Sequence, residues 1–178
     1  DVKVAFEYYA KAIELDPEQP VYLQNLATTV YLFRTDGKEY YGLSEEELFN
    51  KSLDLYRRAI RLDPKSFTLA ADYAQTYYGI RPLRTEDALK AWRHALEVAG
   101  DSIERQGVQL HLARVQMMSG HFAAAREHLQ LVTDDLYRVL KERLQRSLEH
   151  REAQAAGSGR DPSSPTPEKK DVEPSAVP

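Results

Sequence analysis

A chain of 178 residues, 42% hydrophobic and 29% charged, has the make-up of an ordinary globular protein of one domain or slightly more. Its net charge of −4 leaves no general basic field to attract nucleic acid, and the lack of cysteine excludes disulfides, thiol chemistry and Cys-ligated metals. No run of about 18 apolar residues is present that would cross a membrane. The compartment stays open, with the cytoplasm favoured. The chain begins inside a helical pattern without Met, so a targeting segment is expected to lie upstream of Asp1 if there is one.

The first expected helix carries Ala5, Tyr9 and Ala12 on one face and stops at about Asp16, because Pro17 cannot continue it. The second, "VYLQNLATTVYLF", carries Leu23, Leu26, Ala27 and Val30 and ends near Phe33. Residues 34–46, "RTDGKEYYGLSEE", read as a loop in which Asp36-Gly37 marks a turn. Ser44 with Glu47 three residues on forms a capping box, so a helix begins near Glu45. That helix carries Ser52, Tyr56 and Ala59 and closes at Pro64. "TLAADYAQTYYG" follows with Ala70, Tyr73, Ala74 and Tyr77, and Pro82 breaks the pattern. Thr85 is expected to cap the next helix, which has Glu86 and Asp87 in its first turn and Ala88, Trp92 and Ala95 along one face. "VQLHLARVQMMSG" carries Leu112, Ala113 and Gln116, and a looser stretch follows with Ala125, Leu129 and Val132. Thr133-Asp134-Asp135 starts a last helix to about Ala156, whose single apolar stripe is Leu136, Val139, Leu140, Leu144 and Leu148. From Gly157 to Pro178 the chain has five prolines, four serines and no aromatic residue, the composition of a disordered tail. "PSSP" within it fits a polyproline-recognition pattern, but a solvated tail or linker is the favoured reading.

One phrase recurs. "YYAKAIELDP" at 8–17 and "LYRRAIRLDP" at 55–64 match at Tyr9 and Tyr56, Ala12 and Ala59, Ile13 and Ile60, Leu15 and Leu62, and the Asp-Pro pairs. A large side chain stands between two small ones in each copy, so that neighbouring helices approach closely and the large residue fills the space between them. With "SGHFAAA" as an inter-helix turn, these endings resemble the tetratricopeptide repeat, an antiparallel helix pair of about 34 residues closed by proline. The copies lie 47 residues apart, a surplus of roughly 13 that falls on the 34–46 stretch. The resemblance implies an all-α fold: an α-solenoid of antiparallel helix pairs, about three and a half repeats over residues 1–133 with an insertion loop at 34–46. Residues 134–156 would then be a C-terminal capping helix, or else a coiled-coil or docking helix, and 157–178 the disordered tail.

Chemistry is sparse. There is no Gly-rich phosphate loop and no HExxH. The histidines stand at 94, 111, 121, 128 and 150; His121 and His128, seven apart on one helix, could share a face but lack a carboxylate partner, so neither a metal nor a cofactor is expected. Asn50-Lys51-Ser52 fits a glycosylation sequon but sits inside a helix. In the family it resembles, first-helix side chains line a concave groove for an extended peptide. Carried onto this chain, those positions are Gln24, Thr28 and Tyr31, then Ala71, Gln75 and Tyr78, then Leu110, Arg114 and Met117. Family members that clamp a terminal carboxylate use Lys, Asn and Arg there, and the Gln24 and Thr28 of this chain argue against that ligand. Tyr40 and Tyr41 either anchor a partner from the loop or fold back onto the body. The expected function is a non-catalytic scaffold for a protein or peptide, without nucleic acid, membrane or metal. Alternatively this is the repeat segment of a larger enzyme or membrane-anchored assembly factor, or a spacer that self-associates, with the oligomeric state open.

Overall fold

Proline and glycine punctuate the chain, and helices form between them. The computed structural model describes residues 1–158, and these fold into nine α-helices and two 3₁₀ turns without any strand among the described residues. The helices are α1 (Val2–Leu15), α2 (Pro20–Leu32), α3 (Arg34–Tyr41), α4 (Glu45–Leu62), α5 (Phe67–Thr76), α6 (Thr85–Val98), α7 (Ser102–Met118), α8 (Phe122–Gln130) and α9 (Arg138–Ser158). Tyr77–Gly79 and Asp135–Tyr137 are the 3₁₀ turns. The expected disordered tail lies outside the described residues, apart from Gly157 and Ser158, which continue α9.

Leaving aside the short α3, each helix packs on the next along the chain: α1 on α2, α2 on α4, α4 on α5, and so on through α8 on α9. Such a succession of local contacts is consistent with a helical repeat. The small residues open the way for it. Ala27, Ala59, Ala70, Ala74, Ala88 and Ala95 are wholly buried, and Tyr56 and Trp92 fill the space beside them. Ala12, on the terminal helix, is only half-buried. One cluster joins Phe6, Leu23, Val30, Leu48 and Tyr56 beneath α1, α2 and α4. A second gathers Leu53, Tyr77, Trp92 and Leu112, and a third joins Leu110, Met117, Leu129, Val132 and Leu148.

The structure departs from expectation at four places. Residues 34–41 form α3 instead of a loop, ended by Gly42 in the left-handed region at φ 66°. Gly37 does not turn the chain; it is buried in α3, where an added Cβ would stand 3.3 Å from both Leu48 methyls, so its bareness lets α3 lie close on α4. Thr85 does not cap α6: it is the first helical residue, and its hydroxyl meets Ser119 Oγ at 2.8 Å instead. The last helix is delayed to Arg138, because Gln106 Oε1 accepts from the backbone N–H groups of Thr133 and Asp134 and the Asp134 carboxylate caps a 3₁₀ turn. The apolar stripe of α9 therefore divides. Leu148 is buried and Leu144 packs beside it against the third cluster, while Leu136, Val139 and Leu140 face solvent. By contrast α4 starts at Glu45 with both bonds of the Ser44–Glu47 capping box in place.

Candidate protein-interaction surface

Helices α2, α5 and α7 bring most of the expected groove residues into one row. Gln24 on α2 donates through Nε2 to Asp72 Oδ2 on α5 at 2.8 Å. One turn further on, the Thr28 hydroxyl lies 2.9 Å from the Gln24 carbonyl oxygen and 2.8 Å from the Tyr56 hydroxyl. Burial pushes the Tyr56 phenol up to about 12, so it stays a neutral hydrogen-bonding group. Tyr31 and Phe49 lie 6.1 Å apart between ring centroids, and the Arg34 guanidinium sits over both rings, at 5.1 and 4.9 Å. The Tyr31 ring crosses over Gly79, the last residue of the 3₁₀ turn after α5, where an added Cβ would come within 2.8 Å of Tyr31 Cε2 and 3.0 Å of Phe49 Cε1. Gly79→Ala should therefore destabilise the protein by about 1–3 kcal/mol through overpacking. A denaturant midpoint that does not move would show that the Tyr31 ring swings aside freely.

Tyr78 continues the row to α7. Its hydroxyl lies 3.1 Å from His111 Nδ1 and 3.3 Å from the His111 carbonyl oxygen. The imidazole stacks flat on Trp92, with centroids 4.0 Å apart and planes inclined by 3°. Arg114 places its guanidinium 4.6 Å from the Tyr78 ring centroid. Burial raises the Tyr78 phenol pKa, with Arg114 opposing that shift. The same burial, with the Arg114 charge adding to it, depresses His111 to about 4, so the ring is neutral at ordinary pH. Ala71 is half-buried beside this row, and Gln75 and Arg114 face solvent.

Two expected groove residues belong elsewhere. Leu110 and Met117 are buried, 3% and 6% exposed, in the cluster that α7 makes with α8 and α9. They share a face with Ala113, and that face is covered by Ala125, Leu129 and Val132. His111 takes the place beside Tyr78 that the sequence reading gave to its neighbour Leu110. Asp72 was missed in the same way, one residue from Ala71. A signal existed for His111, which stands three residues before Arg114 and so shares its helix face. Tyr40 and Tyr41 turn inward: each ring lies 5.2 Å from that of Phe6, and Lys51 Nζ sits 4.5 Å from the Tyr41 ring centre. Burial raises Tyr41 to about 12, and its hydroxyl is buried without a hydrogen-bond partner among the described residues. They fasten α3 to α1 instead of projecting as anchors. His121 is exposed, and His128 is held by Gln109 Oε1 at 2.7 Å. Among the described residues no cluster of three or more potential metal ligands forms, and no helix is long and apolar enough to cross a membrane.

These helices carry amides, hydroxyls and aromatic rings that bond across them, on a fold consistent with a helical repeat. No family model matches the chain. It is similar to the Photosystem I assembly protein Ycf3 of Rippkaea orientalis, 31% identical over 75 residues, which is 41% of this chain and 43% of that protein. The chain thus spans less than half of that relative's length, and the likeness supports a helical-repeat protein of the tetratricopeptide type in general terms.

Proposed function

We propose that this chain is an α-solenoid of tetratricopeptide-type helix pairs, closed at its C-terminal end by α9, and that it works without catalysis as a scaffold holding a protein or peptide partner. The partner would lie along α2, α5 and α7, against Gln24, Thr28, Tyr31, Ala71, Gln75, Tyr78 and Arg114. The observation that carries this reading is a set of cross-helix contacts, Gln24 to Asp72, Tyr31 over Gly79, and Tyr78 to His111, made while Gln75 and Arg114 stay exposed. A prefixed surface of this kind loses little entropy on binding, and its amide and tyrosine groups suit a peptide backbone that needs hydrogen bonds and flat apolar contact. Similarity to a relative named as an assembly protein supports the same class of role.

A photo-crosslinking residue placed at Gln75 should give a discrete protein adduct in a lysate of the source cells, and the same residue at Arg58, exposed on α4, should not. Adding Arg114→Glu should abolish the Gln75 adduct. Equal labelling from both positions, or an adduct indifferent to Arg114→Glu, would sink the groove.

A further inference from the structure

On the side of α5 away from Ala71 and Gln75, a cleft of about 440 Å³ opens between α4 and α6. Tyr73 on α5 and Tyr77, four residues on at the start of the 3₁₀ turn that follows it, form its floor. Arg57 and Arg61, one turn apart on α4, stand on one wall, and Lys90 stands on the other.

The hydrogen bonds of the floor leave one donor unspent. Arg57 Nε donates to the Tyr73 hydroxyl oxygen at 3.3 Å, and the Tyr73 and Tyr77 hydroxyls lie 2.9 Å apart. Each phenol has a single hydrogen. Whichever tyrosine donates to the other, the second hydroxyl hydrogen has no acceptor among the described residues. The charges point the same way. Arg57 is paired with Asp54, but Arg61 and Lys90 make no ion pair or hydrogen bond among the described residues, and Asp87 is the acidic residue lining the cleft. His94 at the rim faces Glu97 at 3.7 Å. The cleft thus holds an excess of positive charge and an excess of donors, over apolar sides supplied by Ile60 and Ala91.

We propose that this cleft binds an anionic oxygen group, carboxylate or phosphate, gripped by Arg57, Arg61, Lys90 and the spare tyrosine hydroxyl. Its volume falls within the roughly 300–1,000 Å³ of small-ligand pockets and exceeds what a bare ion fills, so the group would arrive on an organic body resting on Ile60 and Ala91. The site is independent of the groove and stands whether or not the groove binds a partner.

Nuclear magnetic resonance titration of the full chain tests it, with inorganic phosphate in one arm and an end-blocked octapeptide of glutamate in the other. Saturable shifts are expected at the Tyr73 and Tyr77 rings and at Arg57 Nε. Arg61→Gln with Lys90→Gln should weaken binding at least roughly tenfold. Neither side chain holds a bond in the fold, so the melting midpoint of that variant should stay put. Saturation by phosphate shows that the cleft grips a phosphate-type oxyanion, the head group of a small organic ligand; saturation by the peptide alone assigns it to acidic side chains of a protein. No saturation in either arm, or equal affinity in the double variant, overturns the proposal.

Discussion

Trp92→Ala is expected to destabilise the protein by about 3–5 kcal/mol, the range for emptying a large buried aromatic site. Trp92 is 1% exposed and lies in the cluster that joins α4, α5, α6 and α7. Ala88, Ala91 and Ala95 surround it on α6, and Ala70 and Ala74 line α5. Residues this small cannot extend into the space an indole leaves, so the cavity would persist. The stacked His111 ring would lose its flat partner, and Tyr78, 6.2 Å away, would lose a wall. No hydrogen bond enters the account, since Trp92 Nε1 is buried without a partner among the described residues. The loss is therefore one of packing, and Trp92→Phe should recover a large part of it. Urea unfolding at neutral pH would measure both variants. A change below about 1 kcal/mol for the alanine variant would mean that the helices collapse into the gap and that the large-between-small pattern is not what spaces them.

The pattern that predicts this packing is legible because it repeats. Tyr56 and Trp92 stand between small residues at helical intervals, and a period of 3.6 states which side faces the core without reference to any distant residue. The features that escaped depend on distant partners. Asp36-Gly37 has the local chemistry of a turn, yet Gly37 is needed bare for Leu48, eleven residues on. A glycine that turns the chain and one that admits a neighbour look alike in sequence. Thr85 has the chemistry of a cap, but its hydroxyl bonds to Ser119, about one repeat length away. On α7 the error is one of rotation. Leu110 and His111 differ by about 100° around the helix, and only the placing of α8 decides which of them turns to the core. The Tyr40–Tyr41 pair needed Phe6, whose position follows from how α3 lies on α1.

Acid should weaken this protein between about pH 6.5 and pH 4, with His111 as a principal cause. The imidazole titrates near 6.5 in the unfolded chain and is pushed down to about 4 in the fold, first by burial against Trp92 and Tyr78 and then by the Arg114 charge. Between those values the unfolded chain takes up a proton that the native ring refuses, so stability falls as pH falls. The contribution is complete above pH 6.5 and gone below pH 4, and a shift of that size corresponds to about 3 kcal/mol. His128, also depressed by burial, acts in the same direction. Urea midpoints at pH 7, 5.5 and 4 would show the decline, and His111→Gln should flatten it while lowering stability at pH 7. Arg114→Gln separates the two causes. It removes the neighbouring charge and leaves burial in place, so the His111 midpoint should rise part of the way towards 6.5 without reaching it. A midpoint fully restored by that one change would show that Arg114, not the stacked and enclosed position on Trp92, keeps the ring neutral. The row from α5 to α7 would then be held by charge, and salt would loosen it.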